Sequence, residues 1–120
     1  MAETFPFTVQ KVEAVYLDVP HRHYSILVDV GQYEYAEFFE EYGYSGNGPS
    51  WAEHIHAILA VRDPELLNHL ETEEKRATYL AYADSPAAVD RFMEVVRPIF
   101  ADPEQLTAYF NQTEPTDFFE

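Results

Sequence analysis

Phe5, Phe7 and Val9 alternate with polar neighbours, and Val12, Ala14 and Tyr16 then alternate on the opposite phase. Alternation with a period of two marks a strand with one buried face, so residues 5–17 read as extended, with a bulge or bend near Gln10 where the phase switches. Pro20 ends the run and His21-Arg22-His23 make a turn into a second alternating strand, Tyr24, Ile26, Val28 and Val30, closed by Gly31. The short connection favours an antiparallel hairpin. From Gln32 to Tyr42 the period becomes helical: Tyr35, Phe38, Phe39 and Tyr42 fall on one stripe, and Glu34, Glu37, Glu40 and Glu41 take most of the remaining surface.

The second half repeats these signals. A helix is predicted from Trp51 to about Arg62, and Asp63-Pro64 opens a short one to about Leu70, with proline at its favoured first position. Lys75 to Ala83 reads as a third strand, Ala77, Tyr79 and Ala81 opposed to Thr78, Leu80 and Tyr82. Ser85-Pro86 starts a helix with Val89, Phe92, Met93 and Val96 on its buried stripe; Pro98 ends or bends it, and Asp102-Pro103 starts a last short helix through Phe110. Residues 111–120 form a polar tail, docked through Phe118-Phe119 or loose. The order β-β-α-α-β-α predicts an α+β domain spanning 1–120, with helices on one face of a small, mostly antiparallel sheet built near 8–17, 24–30 and 76–83.

Composition changes the picture in one respect. Apolar residues at 47% supply a core for one domain, but 22 acids stand against 7 bases, a formal net charge of −15. That field repels nucleic acid and anionic membrane surfaces and attracts basic partners at long range. Its bland reading is solubility. There is no cysteine, no apolar run of membrane-spanning length, and no signal-peptide pattern in Met1-Ala2-Glu3-Thr4-Phe5, so a cytoplasmic protein is the expectation.

Gly43, Gly46 and Gly48 are three of the chain's four glycines, and they lead into the only tryptophan, Trp51. Such density specifies a tightly folded loop. Ser50 and Glu53 then form a Ser-x-x-Glu capping box, which would put Trp51 at the first helical position, hanging over the loop. No Lys follows the glycines and their spacing fits neither the P-loop nor the dinucleotide fingerprint, which argues against a phosphate cradle. His54 and His56, two apart on a helix, point about 200° from one another and cannot share an ion. His21 and His23 lie at a turn, with no third ligand specified by spacing. No His-Glu-x-x-His, no Gly-x-Ser-x-Gly and no cysteine nucleophile is present. Nothing asks for an enzyme, a cofactor or a metal.

The segment from Tyr33 to Trp51 interleaves aromatic residues with glutamates. Tyrosine and tryptophan anchor interfaces, and complementary charge sets association rate and partner choice. On this reading Glu34, Glu37, Glu40, Glu41, Tyr44 and Asn47 face a partner, while Gly43, Gly46, Gly48 and Trp51 hold the loop. The competing reading is a solvated helix face above a buried aromatic stripe.

Gly43-Tyr44-Ser45-Gly46-Asn47-Gly48-Pro49-Ser50-Trp51 resembles the GY-x-GNG-x-x-W signature of the immunity protein 51 family, predicted immunity proteins of bacterial polymorphic toxin systems. The resemblance covers residues 24–97 and carries over Gly43, Gly46, Asn47, Gly48 and Trp51. Pro49 departs from it, standing where a larger, often aromatic residue is expected. The resemblance implies an α+β domain that binds and neutralises a cognate protein toxin, a basic nuclease being one kind the acidic charge suits. Two alternatives stay open: an acidic interaction or adaptor domain for another basic partner, and a small ligand-binding domain or enzyme using the glycine loop. Self-association is left open as well.

Overall fold

The structure, a computed structural model, describes residues 7–11, 23–29, 35–74 and 78–113. Four strands, β1 (Thr8–Lys11), β2 (Tyr24–Asp29), β3 (Leu70–Glu74) and β4 (Thr78–Ala83), form one antiparallel sheet in the order β1-β2-β4-β3. Helices α1 (Tyr35–Glu41), α2 (Gly48–Arg62), α3 (Pro86–Val95), α4 (Arg97–Phe100) and α5 (Pro103–Phe110) complete the α+β domain, with a 3-10 segment from Pro64 to His69 between α2 and β3.

The alternation in β2 and β4 is what builds the layers. Ile26 and Val28 of β2 and Tyr79, Ala81 and Ala83 of β4 are all buried, and the register sets Ile26 opposite Ala81 and Val28 opposite Tyr79. Cross-strand partners share a face, so these side chains form one apolar surface. The small Ala81 and Ala83 leave room for helices to approach. On that surface lie Trp51, His54, Ile55, Ile58 and Leu59 of α2, spaced at i, i+3, i+4, i+7 and i+8, and Ala88, Val89 and Phe92 of α3. Leu106 and Phe110 of α5 close the same core.

Several expectations are corrected. Residues 70–74 form a strand that the sequence pattern does not predict, while the short helix expected to about Leu70 ends at His69. Their sequence, Leu-Glu-Thr-Glu-Glu, has no apolar alternation, as suits an edge strand, and its one apolar residue, Leu70, packs against the core. Charge on an edge also guards it against pairing with other chains. The short helix expected after Asp63-Pro64 forms as a 3-10 segment with proline in its first turn, but Asp63 makes no side-chain cap bond to it. The pairing of β1 with β2 runs in unbroken register from Thr8 opposite Leu27 to Lys11 opposite Tyr24, so no bulge falls at Gln10. The pairing is antiparallel, as the hairpin reading expects, and the residues that connect the two strands lie outside the described ones. Pro98 is accommodated in the first turn of α4, where its missing N–H costs nothing. Val12 to Tyr16, the turn residues His21 and Arg22, Glu34, Lys75 to Ala77 and the Phe118-Phe119 tail lie outside the described residues. Among the described residues no helix is long and apolar enough to cross a membrane.

Candidate functional site

The glycine loop is built from its two ends. At the end of α1 the Tyr44 N–H donates to the Phe39 carbonyl at 2.8 Å and the Gly43 N–H to the Glu40 carbonyl at 3.1 Å. This pair of bonds is a Schellman motif, which needs a left-handed residue at its turn, and Gly43 supplies it with φ 89°. The motif swings the following residue back against the helix. Tyr44 is accordingly only 3% exposed, its ring edge-on to His54 at 4.3 Å and its hydroxyl donating to Thr113 Oγ1 at 2.7 Å. Expected at the surface facing a partner, Tyr44 is instead a core residue.

At the other end α2 begins one turn earlier than the Ser50–Glu53 box predicts. Asn47 is the cap: its Oδ1 accepts from the Ser50 N–H at 2.9 Å, and its carbonyl accepts from the Trp51 N–H at 3.0 Å. Ser50 is thus capped and not capping. Gly48 and Pro49 occupy the first turn, where proline is tolerated, and Gly46, buried with φ 73°, makes the second left-handed step. Asn47 is half-buried, with one side-chain oxygen committed to the helix.

Trp51 is 0% exposed. Its ring stacks on Phe39 at 5.5 Å and on Phe100 at 4.7 Å, with Phe7 edge-on at 6.2 Å. It therefore joins α1, α2, α4 and the residue before β1 in one aromatic cluster. The indole is thus buried near a helix start, with Trp51 in the fourth helical position and not the first.

Next to it His54 is fully buried, Nδ1 sharing a 2.7 Å hydrogen bond with the Tyr109 hydroxyl. Burial among the rings of Phe39, Tyr44 and Phe110 pushes its pKa down to about 4, so it is a neutral core residue at pH 7. His56 on the other side of α2 is exposed, as the two-residue spacing requires.

A second polar cluster, not singled out in the sequence, fastens α3 to the segment after α2. Arg91 donates through both Nε and Nη2 to the carboxylate of Asp63, and this hydrogen bonding holds the Asp63 carboxyl below the ordinary range. His69 Nδ1 lies 2.7 Å from Asp84 Oδ2, a bond that raises the imidazole pKa. Among the described residues no group of three or more His, Cys, Asp or Glu side chains is placed to hold a metal ion. A crevice of about 20 Å³ between α2 and β3, bordered by Ala52, Ile55, Leu59, Leu70 and Tyr79, has room for one water.

Of the partner-facing residues expected from sequence, Glu37, Glu40 and Glu41 are exposed on α1 and present carboxylates to solvent. Glu34 lies outside the described residues. Tyr44 and Asn47 serve the loop, alongside Gly43, Gly46, Gly48 and Trp51.

The family model described as Immunity protein 51 matches residues 17–115. The match extends beyond the loop signature at both ends and takes in α4 and α5. Neither the curated proteins nor the solved structures give a match.

Proposed function

The chain belongs to the immunity protein 51 family, and we propose that it is the cytoplasmic inhibitor of a cognate bacterial protein toxin, acting by binding and occluding its target and not by catalysis. The family match is the observation that carries this reading. The charge of −15 supports a toxin with a basic working face, of which a nuclease cleft is the leading example, because an array of carboxylates can stand in for a phosphate backbone there. The exposed Glu37, Glu40 and Glu41, continued by Glu34 in sequence, supply the densest such array near the glycine loop. Asn47, half-buried at the end of that loop, is kept as a candidate contact besides its role as the cap of α2.

Affinity in the nanomolar range or tighter is expected of a stable inhibitor. The test is co-expression with the toxin encoded beside this gene, paired with calorimetry on the purified proteins. Restored growth together with a one-to-one complex supports the reading. A toxin that still kills, and that shows no heat of binding, removes it.

A further inference from the structure

The sheet has a second face. Thr8 of β1, Leu27 of β2, Leu80 of β4 and Glu73 of β3 are successive cross-strand partners, and so are Gln10, Ser25, Tyr82 and Glu71 in the adjacent row. Partners point to the same side, so these two rows and the Asp29–Thr78 pair make up the surface opposite the core. None of these side chains belongs to the hydrophobic core or packs against it. The described helices all bury their apolar stripes on the other face.

An antiparallel sheet with one wet face is expected to carry polar residues there. This one carries a leucine pair and a tyrosine at its centre, on the two central strands. Leu27 is 37% exposed, one of the two large apolar side chains exposed among the described residues. Leu80 and Tyr82 are half-buried, and around them stand the half-buried carboxylates of Asp29, Glu71 and Glu73. An apolar centre within a charged rim is the anatomy of a protein interface. Leucines fixed on paired central strands also lose little freedom on binding, unlike side chains on a loop.

Resting on the toxin-inhibitor reading, we propose that the toxin seats on this outer sheet face, which no described helix covers, with Leu27, Leu80 and Tyr82 as the anchor and Asp29, Glu71 and Glu73 as the rim. The rim and the overall charge define the occupant: a basic protein surface offering an apolar side chain flanked by Lys or Arg. The carboxylates of α1 then act at a distance, steering the encounter, and the sheet face holds the complex once formed.

The test uses the full chain and a catalytically inactivated form of the toxin encoded beside it. Leu27→Lys and Leu80→Lys, made singly, place cations against a basic partner without entering the buried face. Each is expected to melt near the parent and to raise Kd about 100-fold, mainly through faster dissociation, as loss of an interface anchor does. Val61→Lys on α2, at a position 82% exposed, is expected to leave Kd unchanged. Lysine variants that fold and bind like the parent overturn the proposal, as does an equal loss in Val61→Lys. Hydroxyl-radical footprinting of the unaltered protein gives an answer that does not depend on the variants folding. Labelling of Leu27, Leu80 and Tyr82 is expected to fall in the complex. A complex that forms while these side chains label as before removes this inference and leaves the inhibitor reading intact, whereas a parent chain that does not bind the toxin removes both.

Discussion

His54 and Tyr109 meet at 2.7 Å, the nitrogen of a fully buried imidazole against the oxygen of a half-buried phenol, with Phe39, Tyr44 and Phe110 packed around the imidazole. Because burial lowers the folded pKa of His54 from 6.5 to about 4, the unfolded chain binds a proton between these values and the folded one does not. Stability is therefore complete above pH 6.5 and falls as the pH drops toward 4, by roughly 3 kcal/mol for this group. His69 works in the opposite sense. Its pKa is raised by the hydrogen bond to Asp84, so its contribution is present below pH 6.5 and is lost as the pH rises through the folded value. Urea midpoints between pH 7 and 4.5 should fall steeply in the parent and more gently in His54→Leu, and imidazole NMR shifts should show His54 neutral where His69 is charged. A His54 that titrates near 6.5 would contradict its burial.

Trp51 links four segments through ring contacts, so its removal is felt in all of them. Trp51→Ala is expected to cost roughly 3–5 kcal/mol in equilibrium unfolding. A variant that melts like the parent would mean that the stacks on Phe39 and Phe100 contribute nothing.

The loop's own residues should separate structure from recognition. Gly43→Ala forces a Cβ into a left-handed turn at φ 89° and is expected to cost about 1–2 kcal/mol. Asn47→Ala removes the oxygen that caps α2 and should cost about 1 kcal/mol, with Asn47→Asp restoring most of it. If Asn47→Ala weakens toxin binding while Asn47→Asp melts normally yet binds no better, the side chain is a contact as well as a cap.

These positions also mark what the chain's pattern could and could not reveal. Alternation in β2 and β4 and the stripe of α3 are legible because each element buries one face, and the α+β class follows from them. The strand β3 is not legible: Glu71 and Glu73 lie on an edge, and it is pairing with β4 that extends them. Tyr44 reads from sequence as an interface residue because tyrosine commonly anchors interfaces. Only the Schellman bonds, which depend on where α1 stops, turn it inward. In the sequence Asn47 stands out as a signature residue, but the Ser50–Glu53 pair offers a competing cap one turn later. The apolar centre of the outer sheet face left a trace: Leu27 and Leu80 fall on the phase opposite the buried residues of their strands. It becomes readable as a patch only once the register sets them side by side.

The exposed carboxylates of α1 carry the last prediction. Glu37, Glu40 and Glu41 project from a short helix whose buried side is held by Phe39, so changing the exposed side leaves the packing alone. Glu37→Lys with Glu41→Lys alters the formal charge by four without entering the core, and melting is expected to stay within a few degrees of the parent. Steering acts before contact, so the association rate with a basic toxin should fall several-fold at low salt and converge on the parent's rate as screening shortens the Debye length from about 30 Å at 0.01 M to about 8 Å at 0.15 M. Stopped-flow association across that salt range reads this directly. A loss confined to the association rate assigns α1 to steering, whereas a faster dissociation that persists at high salt would make these glutamates part of the interface itself. An unchanged association rate at every salt concentration would leave α1 as a solvated surface and remove it from the recognition of the toxin.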